Sequence, residues 1–153
     1  MPEPVRVEIT DAHLTADVVL IAPDPAGRWY ILLIQRRWAP FAGRWALPGG
    51  YLNQGEEPAA AAVRELFEET GLTAPASLVP VRAYATVGRD PRARVVSFAY
   101  AAVLPRPVEP VAGDDAADAR WVPVDYLAAD PEALAFDHAV VVADALTHLG
   151  VTQ

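Results

Sequence analysis

The chain of 153 residues contains no cysteine and a single methionine. Without thiols it can form neither disulfides nor thiolate metal sites, and such a composition fits the cytoplasm, the compartment expected for it. Positive charge is also scarce: 12 basic residues face 20 acidic ones, a formal net charge of −8. A surface of that sign repels phosphate backbones, so no nucleic-acid partner is expected. No uncharged apolar run approaches the ~18 residues of a membrane span, and no membrane association is expected. The first residues, MPEPVRVEIT, lack the basic start and apolar stretch of a secretory signal. Internal repeats and low-complexity tracts are missing too. What remains is 53% hydrophobic and 21% charged, enough to bury a core, and the length suits one domain spanning residues 1–153.

The apolar stretch at residues 16–22 (ADVVLIA) is rich in β-branched side chains and reads as a buried strand. A turn cluster, PDPAG, separates it from a second strand at 29–34 (WYILLI), which together suggest a hairpin. A loop with Pro40, Gly43, Pro48, Gly49 and Gly50 leads into an alanine-rich helix over 58–70, with proline in its first turn and Gly71 just past its end. Further strands are expected at 82–87, 95–104 and 120–124. A closing helix is expected from about Phe136 to Leu149, with Val140, Val141, Leu146 and Leu149 as its apolar residues. The order of elements predicts an α/β fold.

At ~100° per residue, Ala59, Ala62, Val63, Leu66 and Thr70 fall on one side of the 58–70 helix, a stripe suited to packing on a sheet. Glu65, Glu68 and Glu69 gather on another side within ~100°. Carboxylates three and four residues apart repel unless something neutralises them, and a hard divalent cation with oxygen ligands does so. Taken alone, such glutamates commonly form a solvated face. The surrounding residues decide otherwise: a Pro-Gly-Gly turn and Glu56 precede the helix, Arg64 sits inside the acidic cluster, and Gly71 ends it.

Residues 50–72, GYLNQGEEPAAAAVRELFEETGL, resemble the signature of the Nudix hydrolases at every fixed position: Gly50, Glu56, Arg64, Glu65, Leu66, Glu68, Glu69, Gly71 and Leu72. The resemblance implies a mixed β-sheet sandwiched between α-helices, with the signature as loop, helix and loop. It also implies that Glu65, Glu68, Glu69 and the backbone carbonyl of Gly49 hold Mg²⁺, or Mn²⁺ in its place, with Glu56 and Arg64 supporting them. A carboxylate then takes the proton of the attacking water; Glu65 is one candidate, and Asp115 or Asp114 in the acidic loop PVAGDDAADARW are candidates from outside the signature.

The segments GRDPRARVVSFAY, AGDDAADARW and LAFDHA resemble the branch of the family that hydrolyses ADP-ribose. That likeness implies cleavage of a nucleoside diphosphate linked to another moiety, with AMP and ribose 5-phosphate as products, and a homodimer, since many members of the branch pair. Arg37, Arg89 and Arg92 are the residues expected to grip its phosphates, with Asp114 also at the substrate. His138 reads as a helix-start or interface residue rather than a ligand, and the four tryptophans as core or pocket wall. Two other readings share the signature: a nucleoside-triphosphate pyrophosphohydrolase of the MutT type, and a non-catalytic domain that senses ADP-ribose or a related nucleotide. The full set of glutamates, and the lack of a basic DNA-binding extension after Gln153, favour an enzyme over a sensor.

Overall fold

In the computed structural model of the chain, residues 1–5 and 7–151 are described. Strand β1 (His13–Pro23) is the centre of the sheet. It pairs in parallel with β6 (Val95–Val103) along its length, from His13 opposite Val95 to Ile21 opposite Val103. A strand covered on both faces must be apolar throughout, and β1 is fully buried from Val18 to Ala22. Its C-terminal end forms the expected hairpin with β2 (Trp29–Arg36), closed by Asp24, whose Oδ1 accepts the amides of Ala26 and Arg28 at 2.9 Å each.

The other edge of β1 is shared, and this positions the site. Near Pro23 it is taken by β2; near Thr15 it is taken by the short antiparallel β4 (Gly49–Tyr51). Between these two partners the sheet forks. A two-residue strand, β3 (Trp45–Ala46), pairs with the far end of β2, and β7 (Ala116–Pro123) covers the outer edge of β2. Strand β5 (Val79–Tyr84) closes the opposite side by pairing with β6.

Helix α1 (Pro58–Thr70) packs on one face of the sheet, over Val18, Leu20, Leu32 and Ala102. Helices α2 (Val124–Ala129) and α3 (His138–Leu149) cover the other face, over Val19, Ile21, Ile31 and Leu33. The result is the mixed sheet between helices that the sequence implies. The limits of α1 are those expected, with Pro58 in its first turn and Gly71 in the left-handed region at φ 72° as its C-cap.

Several details differ from expectation. The strand expected at 82–87 lies at Val79–Tyr84, because an edge strand tolerates Pro80 with a bulge beside it. Strand β7 begins at Ala116 rather than 120, and α3 at His138, since Phe136 takes φ 53° and cannot continue a helix backwards. Along α3 the inward residues are Val141, Val142, Ala145 and Leu146, while Val140 is half exposed. In α1, Ala61, Ala62, Leu66 and Thr70 are buried, whereas Ala59 and Val63 face outward. The helix is therefore rolled relative to the expected stripe. Trp38 is exposed; the other tryptophans pack against the core clusters.

Candidate active site

The fork in the sheet opens a cleft whose walls come from both faces. Thr15 and Asp17 of β1, Ile34 and Arg36 of β2, and Gly49 to Tyr51 of β4 form its floor and one side. Glu69 enters from α1, Arg89, Asp90 and Arg92 from the β5–β6 loop, and Phe136 and His138 from the start of α3.

The roll of α1 turns Glu65 and Glu69 inward. Residues 61, 62, 65, 66, 69 and 70 share an arc of ~180°, so two acids lie on the same half of the helix as the core alanines. The carboxylates are thus not all on a polar side remote from the sheet: the Glu65 side chain is 14% exposed, that of Glu68 55%. Glu69 Oε2 accepts the Gly49 amide at 3.0 Å, and among the described residues no arginine or histidine forms an ion pair with it. Burial pushes its carboxyl up to about 8, and the negative charges of Glu65, Asp17 and Asp115 add to the effect against the Gly49 hydrogen bond. Burial also raises Glu65, against the pull of Arg64.

Arg64 organises the other acids. Its guanidinium donates to both oxygens of Glu56 at 2.8 Å, to Glu65 Oε1 at 2.8 Å, to Glu68 Oε2 at 3.0 Å and to the Tyr51 carbonyl at 3.0 Å. The loop before the helix is thereby tied to it, and the Arg64 bond holds the Glu56 carboxyl down at about 2. Gly50 lies against Glu65: a Cβ there would stand 2.6 Å from the Glu65 carboxylate. The acidic loop comes close because the amides of Val111 and Gly113 bond the carbonyls of Thr70 and Glu69 at 2.9 and 3.0 Å. This brings the charge of Asp115 to bear on Glu69, although Asp114 and Asp115 are both exposed and outside the cleft lining.

The arginines are placed differently from expectation. Arg89 lines the cleft, but its side chain is 4% exposed and forks onto Asp137 at 2.7 and 2.9 Å, so it braces the β5–β6 loop against α3. Arg92 pairs with Asp90 in the same way, at 2.7 and 3.0 Å, and its guanidinium lies over Phe136. Arg37 does not reach the cleft; it is exposed and donates to the Ala116 carbonyl at 3.1 Å. Its neighbour Arg36, not singled out from the sequence, lines the cleft instead. Arg36 donates to the carbonyls of Pro40 and Trp38 and stacks 4.9 Å from the Phe136 ring, with no carboxylate salt bridge among the described residues. Burial, and next the charge of Arg92, lower its proton affinity. Strand alternation could have separated 36 from 37, had the strand been extended past Ile34. From the sequence His138 is expected at a helix start or an interface. It does begin α3, but it is buried and lines the cleft, as does Asp17. Burial lowers its proton affinity.

The cleft holds two groups without an ion-pair partner at salt-bridge distance among the described residues, a buried acid on α1 and a guanidinium on β2 that feels the charges of Asp90 and Glu69. The model of the NUDIX domain matches residues 11–145 of this chain, from β1 into α3. The chain belongs to the Nudix family. It is 42% identical over 116 residues to an ADP-ribose pyrophosphatase of Methanocaldococcus jannaschii, a match covering 74% of this chain and 64% of that protein. It is 35% identical over 128 residues to an ADPR responsive transcriptional repressor, NtrR, of Acinetobacter baylyi, covering 82% of this chain and 49% of that one. The chain thus spans half to under two thirds of the length of these relatives. Its fold also matches the NUDIX domain of Shewanella oneidensis NrtR complexed with ADP ribose, with TM-score 0.83 and 28% identity over 92% of this chain and 90% of that one.

The donor set of the Nudix helix suits a hard divalent ion: the acids offer only oxygen, and Glu69 is a buried acid without a cationic partner. Among the described residues no three acids or histidines already converge as a ligand cage, and Arg64 holds Glu65 and Glu68.

Proposed function

We propose that this Nudix domain hydrolyses a nucleoside diphosphate linked to another moiety, with ADP-ribose giving AMP and ribose 5-phosphate as its foremost substrate. The observation that carries the reading is the polarity of the cleft. Glu69 calls for a cation and Arg36 for an anion, and a diphosphate accompanied by Mg²⁺ or Mn²⁺ satisfies both at once. Glu65, Glu68, Glu69 and Gly49 would hold the ion, which supplies positive charge at the phosphate oxygens and acidifies water. Arg64, itself held by Glu56, orients Glu65 and Glu68. Arg36 and Arg92, both against the Phe136 ring, take the phosphate oxygens.

Water attacks one phosphorus, the bridging P–O bond breaks, and the bridging oxygen leaves on the other phosphate. The proton shed by the water goes to a carboxylate, Glu65 or Asp115. The name of the M. jannaschii relative supports ADP-ribose as the substrate. The name of the A. baylyi relative supports a second reading, in which the same cleft binds ADP-ribose as a signal.

The test is kcat/KM for ADP-ribose, dGTP, 8-oxo-dGTP and NADH at one Mg²⁺ concentration, with products resolved by chromatography. ADP-ribose is expected to lead. Preference for a triphosphate would place the protein with the MutT-type enzymes. Tight ADP-ribose binding without turnover of any substrate would establish the sensor.

A further inference from the structure

At the cleft floor three polar side chains are buried together: Asp17 on β1 and His138 at the start of α3, which line it, and Ser97 on β6 beside them, exposed by 7%, 5% and 0%. Buried polar groups are costly unless bonded, so their partners show what they hold. The parallel register sets Thr15 opposite Ser97 and Asp17 opposite Ala99, which puts residues 17 and 97 on one face of the sheet. Ser97 Oγ donates to Asp17 Oδ2. His138 Nδ1 accepts the Leu47 amide at 3.1 Å. A ring nitrogen that accepts carries no proton, so the proton of the neutral imidazole is on Nε2, which faces Asp17 Oδ2 across 3.8 Å.

These contacts converge on residues 47–49, the link from β3 to β4. His138 grips the link at Leu47, and the Val18 amide grips it at the Pro48 carbonyl, 2.9 Å away. Gly49 rests directly on β1: a Cβ there would collide with the Ala16 carbonyl and with Asp17 Oδ1. On its far side the Gly49 amide donates to Glu69. One short segment therefore has the buried trio at its back and the acid of α1 at its front.

We propose that Asp17, Ser97 and His138 are positioning residues for the metal-holding carboxylate: they fix residues 47–49, and hence Gly49 against Glu69, so that cation affinity depends on an imidazole that does not touch the cation. The inference rests on the reading above that Glu69 and Gly49 hold a divalent ion. A histidine that only fastened α3 to the sheet would affect stability and leave cation affinity alone.

The experiment measures Mn²⁺ binding to the full, substrate-free chain by the electron paramagnetic resonance signal of free Mn²⁺, for wild type, His138→Leu and His138→Asn. Thermal unfolding in chelator and the kcat and KM for ADP-ribose accompany it. His138→Leu is expected to weaken Mn²⁺ binding about 10–100-fold, the usual scale for a lost supporting contact at a metal site, and to lower kcat more than it raises KM. His138→Asn, which keeps an acceptor where Nδ1 stood, is expected to recover most of that loss. A folded His138→Leu protein that binds Mn²⁺ as wild type does overturns the proposal. So does a loss that His138→Asn shares in full. If His138→Leu does not fold, Ser97→Ala decides: weakening by about 3-fold or more supports the proposal, within the net worth of one hydrogen bond, and unchanged affinity overturns it. A wild-type chain that binds no Mn²⁺ overturns the metal reading itself, and this inference with it.

Discussion

Arg36 and Arg37 are adjacent in the chain and face different surroundings. Arg36 lies over Phe136 inside the cleft, while Arg37 reaches the Ala116 carbonyl outside it. If Arg36 takes a phosphate oxygen, Arg36→Ala should cost about 1.5–3 kcal/mol of transition-state binding, or about 10–150-fold in kcat/KM. Arg37→Ala should leave kcat/KM within about 3-fold, as for a surface residue. Equal effects in steady-state assays of the two variants would remove Arg36 from the substrate site. Glu69 carries a second prediction. Its folded value of about 8 lies above the usual unfolded carboxylate range, so the metal-free folded state binds the proton more tightly than the unfolded state does. The stability this contributes is complete below the unfolded value, near pH 4.5, and is lost as pH rises through 8. In chelator, the urea midpoint of wild type should therefore fall more between pH 6 and 9 than that of Glu69→Gln. The same variant should lose on the order of 10²–10³-fold in kcat if this carboxylate serves the transition state through its ion.

At the scale of elements, the decisive feature is the close seating of α1 on β4. Gly50 lets the Glu65 carboxylate approach the strand, and Gly49 lets the strand itself lie against β1. At position 49 a methyl group would strike the β1 backbone, which cannot move aside cheaply. At position 50 it would strike only the Glu65 carboxylate, the far end of a flexible side chain. Gly49→Ala should therefore destabilise the fold by about 1–3 kcal/mol. Gly50→Ala should leave thermal unfolding near wild type and still lose most activity, because Glu65 must swing away. Calorimetry paired with turnover separates the two. A strongly destabilised Gly50→Ala protein with full specific activity would contradict the placement of Glu65.

For the whole molecule, the acid excess is more than a solubility device if the cleft takes a cation. An ion that binds only the folded chain stabilises it by mass action, about 2.7 kcal/mol at a concentration 100 times its Kd. Mg²⁺ or Mn²⁺ should thus raise the unfolding temperature of wild type, chelator should reverse the rise and abolish turnover, and Glu69→Gln should show little of either. A wild-type unfolding temperature indifferent to both ions would argue for the metal-free sensor. No helix among the described residues is long and apolar enough to cross a membrane.

Much of this was legible in the sequence because it rests on local rules. The limits of α1 follow from Pro58 and Gly71, the β1–β2 hairpin from its turn residues and flanking apolar runs, and the family from the spacing of residues 50–72. What local rules could not supply is the direction each side chain takes once the elements pack. The roll of α1 depends on which of its faces the forked sheet accepts, so Val63 turned outward and Glu65 and Glu69 turned in. The two- and three-residue strands β3 and β4 exist only through pairing with β2 and β1, and no periodicity can register in so few residues. Asp17 and His138, 121 positions apart, meet across the floor of the cleft because β1 and α3 pack there. The sequence by itself determined that there would be a central apolar strand and an acid-bearing helix set in a Nudix signature. The tertiary structure alone decided that Arg36 and not Arg37 lines the cleft, and that Arg89 and Arg92 face it while paired with Asp137 and Asp90. Burial and ion pairing depend on the distance between elements in space, and the order of residues along the chain does not encode that distance.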